Sequence, residues 1–313
     1  MDGLRIRLEA NVDLPDDVAV ALRHGADGIG LFRSELLLGD QPVEALSEDD
    51  QYEMYRRLVE AMRPRPVTVR TFDLEEHQAP ERARSPLGLR GVRLSLARGS
   101  LLRHQVRAVL RASEAGPLRL LLPFVSGVEE VRAVRAMVTR MGEELRSEGV
   151  ALGPVAVGAM IEVPSAALTA DLLAREVDFL AAGTNDPIQY TLAVDRTDER
   201  VSALYRPLHP GMLRLLRLIR RAASRADVPL SVCGEMASDP ELIGVLIGLG
   251  VTEFSMTPGA IPAARRFIAS VRADDLRAAA RAALALSTVE EVETFLDRAI
   301  AECETSVGVE ADP

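Results

Sequence analysis

Four arginines, two carboxylates, an asparagine and a thiol stand out in this 313-residue sequence, most of them at the end of a short apolar run. Arg33 lies in GADGIGLFRSELLL (25–38), Arg70 in VRTFD, Glu162 in GAMIEVPSAAL and Cys233 in SVCGEMASD. Asn185 and Asp186 lie in GTNDPIQYTLAVDR, with Arg196 ten residues after Asp186, and Arg90 lies in SPLGLRGVR. Guanidiniums grip phosphate and carboxylate through planar, bidentate hydrogen bonds, so several converging arginines suit a multiply charged anion. Glu162 and Asp186 offer hard oxygen ligands. Mg²⁺ commonly takes one or two carboxylates and completes its shell with water and substrate oxygens. Each residue alone also has an ordinary explanation: a solvated arginine, a salt-bridged buried glutamate, a cysteine acting as a small core hydrophobe. Complementary types at the ends of five apolar runs argue instead for one site.

The elements that must position them alternate. Strand candidates are 4–12, 28–32, 66–72, 118–124, 155–162, 179–183, 230–234 and 253–256, eight in all. Between them the apolar period is helical, as in Met212, Leu215, Leu216 and Ile219 after Pro210. The segment 129–148 is another helix, with Gly149 as its C-terminal stop. Strict alternation implies a parallel sheet, and eight repeats suggest closure into an α/β (β/α)₈ TIM barrel, a single domain over 1–303. The active site of such a barrel lies at the C-terminal ends of its strands, where the residues above fall. Stretch 264–304 reads as helix with a Ser287/Glu290 capping box, and 304–313 as a disordered tail. The charged stretch 73–85 follows a strand and reads as a loop over the mouth, carrying His77. His24 precedes the second strand, which puts it at the opposite end of the barrel. His104 and His209 lie on or beside helices.

Composition excludes several classes. A net charge of −10 argues against general nucleic-acid binding. No apolar run reaches the roughly 18 residues of a membrane span, and no signal peptide is visible, so a cytoplasmic protein without membrane insertion is expected. Cys233 and Cys303 are too few for a disulfide framework, and Cys303 reads as structural. All 37 basic residues are arginine, so any cation that meets a ligand here is a guanidinium.

The segments TNDPIQYTLAVDR, CGEMASD, MIEVPSAALTADLLAREVDF, LYRPLHP and GIGLFRSELLL closely resemble the C-terminal half of Enzyme I of the bacterial sugar phosphotransferase system, the phosphoenolpyruvate–protein phosphotransferase family. The resemblance runs in order from about residue 6 to about residue 270. Pyruvate phosphate dikinase and phosphoenolpyruvate synthase share the barrel, but the VDR ending and LYRPLHP favour Enzyme I. The resemblance implies a phosphotransferase in which Arg33, Arg70 and Arg196 hold the phosphoryl group. It implies that Asn185 and Asp186 line the substrate with Arg90 nearby, that Glu162 and Asp186 bind Mg²⁺, and that Cys233 is the proton donor. It further implies release of pyruvate, a homodimer, and a phosphohistidine-carrying N-terminal half or separate phosphocarrier protein as partner. No Thr-Ser-His acceptor motif occurs in this sequence, so the acceptor is expected on a separate domain. The family's Gly-Gly-Asp-Lys after Asp73 reads LEEH here, and Pro187 replaces a usual leucine. Three alternatives stay open: a phosphoenolpyruvate sensor without turnover, the C-terminal domain of a dikinase- or synthase-like enzyme, and a Mg²⁺-dependent lyase on a related barrel.

Overall fold

Eight short strands form in the computed structural model, which describes residues 3–38, 46–74 and 87–309, with side chains through residue 303. The strands are β1 (Arg7–Val12), β2 (Ile29–Arg33), β3 (Val67–Arg70), β4 (Leu118–Leu122), β5 (Val155–Ile161), β6 (Phe179–Gly183), β7 (Leu230–Cys233) and β8 (Glu253–Met256). They pair in sequence order, all parallel, and β1 pairs with β8 to close the barrel. All eight expected strands are present. The expected loop over the mouth and His77 lie outside the described residues, apart from the loop's first two positions, Asp73 and Leu74.

Each strand divides its side chains between two environments because successive residues face opposite sides. On β3, Val67 and Val69 join the large cluster packed under the helices. Leu31, Leu121, Met160, Phe179, Ala181 and Cys233 form a second, separate cluster. The first is the layer between sheet and helices and the second fills the barrel, the usual division for this fold.

The helices follow their sequence signals. Pro210–Ala226 buries Met212, Leu213, Leu216 and Ile219, and the His209 ring nitrogen accepts from the Gly211 amide at 3.0 Å to cap it. Val128–Ser147 ends just before Gly149, whose φ of +82° supplies the left-handed turn. The cap of the last helix differs by one residue from the Ser287/Glu290 expectation. Thr288 Oγ1 accepts from the Glu291 amide at 3.1 Å, and the Glu291 carboxylate accepts from the Ser287 and Thr288 amides. Both pairs fit the motif, and the folded chain uses the second. This helix spans Val289–Val309 and so continues into the stretch expected to be a disordered tail. Among the described residues no helix is long and apolar enough to cross a membrane.

One layer of the barrel interior is charged. Glu9 on β1 is 1% exposed and lies 3.7 Å from the Arg119 guanidinium of β4. Arg119 also approaches Glu253 of β8, which pairs with Arg7 at 3.0 Å. The absence of side chains at Gly28 and Gly30 of GADGIG makes room: a Cβ on Gly30 would lie 2.9 Å from Glu9 Oε2. Burial pushes the Glu9 carboxyl up from its ordinary 4.5 to about 7, with Arg119 opposing the rise and Glu253 adding to it. Because the folded state binds this proton more tightly than the unfolded chain, the stability it contributes is present below about pH 4.5 and lost as pH rises through about 7. Glu9→Gln mimics the protonated acid. It should match the parent at the acid end and exceed it at the alkaline end by on the order of 2–3 kcal/mol in urea unfolding. Equal urea midpoints for the two proteins on the alkaline side would contradict this account of Glu9.

Candidate active site

A cavity of about 940 Å³ opens at the C-terminal ends of the strands. Its lining includes all eight residues singled out in the sequence: Arg33, Arg70, Arg90, Glu162, Asn185, Asp186, Arg196 and Cys233. His24, expected at the far end of the barrel, also touches the outer part of this cavity, which extends alongside the helix Asp17–Arg23.

Arg70 ends β3 and is nearly buried. Its Nη1 lies 3.3 Å from Asp73 Oδ2, and its Nη2 pairs with Glu35. Buried neutral groups fix this strand end: Ser34 Oγ donates to the Arg70 carbonyl at 2.6 Å, and Gln105 Nε2 donates to Ser34 Oγ and to the Tyr55 hydroxyl. Asp73 also receives the fork of Arg90, with Nε and Nη2 each donating at 2.9 Å. Arg90 Nη2 lies 3.0 Å from Asp186 Oδ2, and Nη1 donates to the Tyr190 hydroxyl at 3.3 Å. Asp186 and Tyr190 are four residues apart on the helix Asn185–Leu192 and therefore share a face. Pro187 sits in the first turn of that helix, where a missing N–H costs nothing, so its replacement of leucine leaves the helix intact.

Glu162 follows β5 and accepts a 2.5 Å hydrogen bond from the Phe124 amide. Phe124 reaches it from a left-handed conformation, φ +58°. Its ring lies under the guanidiniums of Arg90 and Arg93, at 5.0 and 4.9 Å. Burial, then Asp73 and Asp186, push the Glu162 carboxyl up to about 8. Burial works against the charge of Asp73 as well, but Arg70 and Arg90 hold its carboxyl below the usual range.

Cys233 ends β7, and Gly234 follows with φ +102°; a Cβ there would lie 2.3 Å from Thr184 Oγ1. Burial first, then Glu162, pushes the thiol up to about 12, so it is protonated at neutral pH. Asn185 Oδ1 accepts from the Glu235 amide at 3.1 Å. Arg33 is half-exposed and forks onto Asp13, with Nε donating to Oδ1 at 2.7 Å. Arg196 is exposed, and no ion pair or side-chain hydrogen bond engages its guanidinium among the described residues. The sequence reading missed Asp13, Glu35, Phe124 and Tyr190. Glu35 lies two residues after Arg33 and could have been noticed. Phe124 gave no signal, because its contribution to Glu162 is a backbone amide.

Glu162 and Asp186 fit a hard divalent cation. Both are buried carboxylates, and their mutual repulsion helps raise the proton affinity of Glu162, a penalty that a cation between them would relieve. Among the described residues no group of three or more acidic, histidine or cysteine side chains forms a complete metal cage. Two carboxylates suffice for Mg²⁺, which keeps water and substrate oxygens in the rest of its shell.

Gly91 is the hinge of this arrangement. Its φ is +57° and ψ −130°, and a Cβ would lie 2.6 Å from the Phe124 Cβ. Gly91→Ala should displace both Arg90 and the Phe124 amide, costing about 1–3 kcal/mol of stability and weakening anion binding together. Unchanged unfolding and binding in this variant would show that the wall tolerates a side chain there.

Residues 1–273 match the family described as PEP-utilising enzyme, PEP-binding domain. The phosphoenolpyruvate-protein phosphotransferase of Cupriavidus necator is 45% identical over 267 residues, covering 82% of this chain and 46% of that protein. That of Geobacillus stearothermophilus is 41% identical over 304 residues, covering 95% and 52%. The chain thus spans about half the length of the curated relatives it matches. Among solved structures, Haloferax volcanii malate synthase aligns with a TM-score of 0.54 at 16% identity, over 86% of this chain and 74% of that one. A citrate lyase of Burkholderia xenovorans aligns with a TM-score of 0.54 at 16% identity, over 96% and 92%. These two show the fold alone. The sequence matches lead to one conclusion: the chain belongs to the PEP-utilising enzymes, as their PEP-binding domain.

Proposed function

We propose that the cavity binds phosphoenolpyruvate with Mg²⁺ and cleaves its phosphoryl group, which passes to a histidine on a separate domain while pyruvate leaves. The observation that carries this reading is the convergence of four arginines, two buried carboxylates and one protonated thiol on a single cavity. The family match and the relatives' printed names support it.

Arg33, Arg70 and Arg196 meet the phosphoryl oxygens and spread their charge as the bond to phosphorus breaks. Arg90 and Asn185 orient the rest of the substrate. Glu162 and Asp186 hold Mg²⁺, which when bound supplies Lewis-acid stabilisation to the developing enolate. The Cys233 thiol gives its proton to the methylene carbon, completing pyruvate and leaving a thiolate. In reverse, the thiolate takes a proton from the methyl group. The same reading makes this barrel a cytoplasmic homodimer within a sugar phosphotransferase system, with a partner that carries the phosphohistidine.

Calorimetry with phosphoenolpyruvate should show binding that depends on Mg²⁺, and Arg33→Ala should weaken it by about 1.5–3 kcal/mol, the range for a charge-assisted hydrogen bond. Equal affinity with and without Mg²⁺ would remove the metal, and an unaffected Arg33 variant would misplace the site. Cys233→Ala should retain affinity for pyruvate yet lose deuterium incorporation into the pyruvate methyl group, followed by NMR. Unchanged incorporation would return Cys233 to a packing role.

A further inference from the structure

Arg33 is the least constrained of the paired arginines in the cavity. The side chains of Arg70 and Arg90 are 11 and 16% exposed, and their partners Glu35, Asp73 and Asp186 are equally enclosed. Arg33 and its partner Asp13 are 42 and 37% exposed. The register of the first two strands brings this pair together: Val12 ends β1 opposite Phe32 of β2, so the next residues along, Asp13 and Arg33, stand side by side. Both line the cavity. Their contact is a fork, in which Nε donates to Oδ1 at 2.7 Å and Nη2 donates to Oδ2. A fork of this kind occupies a guanidinium edge that could otherwise grip a phosphoryl group. Among the described residues no other ion pair engages Asp13 or Arg33. Asp17, four residues after Asp13, lines the same wall but accepts only from the Leu14 amide, at 3.0 Å.

We propose that Asp13 is a latch on Arg33 that sets how tightly the cavity holds a phosphoryl group: the phosphoryl oxygens must displace Asp13 to take that guanidinium edge. This rests on the reading above in which Arg33 meets the phosphoryl group. Two effects act with the same sign. Displacement breaks an ion pair, and the released carboxylate then stands beside an anion that it repels. The exchange is feasible because Asp13 is partly solvated and water can replace the guanidinium. Arg70 and Arg90 could not leave their partners without stranding a buried charge. The consequence is selective. Phosphoenolpyruvate must open the fork, whereas pyruvate has no phosphoryl group and no need of Arg33. Asp13 therefore lowers affinity for the phosphorylated ligand alone, and it recloses on Arg33 once the phosphoryl group has left. Asp13 is thus a specificity-determining residue that acts through Arg33.

The test is calorimetry with phosphoenolpyruvate and, separately, with pyruvate, Mg²⁺ present throughout. Asp13→Asn, Asp17→Asn, Arg33→Ala and the double variant Asp13→Asn/Arg33→Ala are compared with the parent. Asparagine keeps the shape of Asp13 and removes its charge. Asp13→Asn should bind phosphoenolpyruvate on the order of fivefold more tightly, the upper end for a part-exposed ion pair, and pyruvate as the parent does. In the Arg33→Ala background the same change should lose most of that gain. Asp17→Asn removes a charge from the same wall without touching Arg33, and should leave both affinities within about twofold. Unchanged or weaker phosphoenolpyruvate binding by Asp13→Asn would overturn the latch, the weaker case showing that Asp13 holds Arg33 ready for the ligand. A gain shared equally by pyruvate, by Asp17→Asn or by the Arg33→Ala background would overturn it too, as an effect of net charge alone. All these outcomes leave the phosphoenolpyruvate site standing. A parent that binds no phosphoenolpyruvate, or binds it equally well after Arg33→Ala, would overturn that site and the latch with it.

Discussion

Asp73 meets two guanidiniums at once, paired with Arg70 on one side and accepting the fork of Arg90 on the other. A buried charge is tolerated only where its partners replace the water it has lost. That requirement ties the barrel mouth into one unit. Arg70 pulls in Glu35, Arg90 reaches on to Asp186 and Tyr190, and Asp186 stands with Glu162. Removing either arginine would leave a carboxylate buried without compensation, so the network specifies geometry more than it adds stability.

The same network leaves the site biased. Arg33, Arg70 and Arg90 are each already paired with acid, and among the described residues Glu162 meets no arginine within salt-bridge distance while its neighbours Asp73 and Asp186 repel its charge. A hard cation and an anionic ligand arriving together would answer both needs, the first at the carboxylates and the second at the guanidiniums. Phe124 contributes to this through its backbone. Held in a left-handed conformation against Gly91, it aims an amide at Glu162 and offers a ring face to Arg90.

Below the mouth the barrel is less apolar than its fold requires. Glu9, Ser255, Arg119 and Glu253 occupy interior positions that branched aliphatic residues usually fill. Of these, Ser255 and Glu9 share the rung of Cys233.

The sequence by itself determined the fold class and which residues gather at one cavity. Eight β-branched or apolar runs separated by helical periods admit little besides a parallel closed sheet, and a barrel must put its strand ends at one mouth. Arg33, Arg70, Glu162, Asp186 and Cys233 could therefore be grouped from position alone. Local signals also placed the Gly149 stop, because a left-handed residue is needed there whatever surrounds it. What depends on contacts across the chain was not legible. The capping box at the last helix settled on Thr288 and Glu291, the second of two overlapping motifs that the sequence offers equally. The partnering of Arg33 with Asp13, 20 residues away, and of Glu162 with the Phe124 amide, 38 away, has no sequence pattern. Nor has the rung joining Cys233, Ser255 and Glu9, since β1 meets β8 only when the barrel closes. Strand periodicity tells which way a side chain faces; only closure and register decide which side chains it meets.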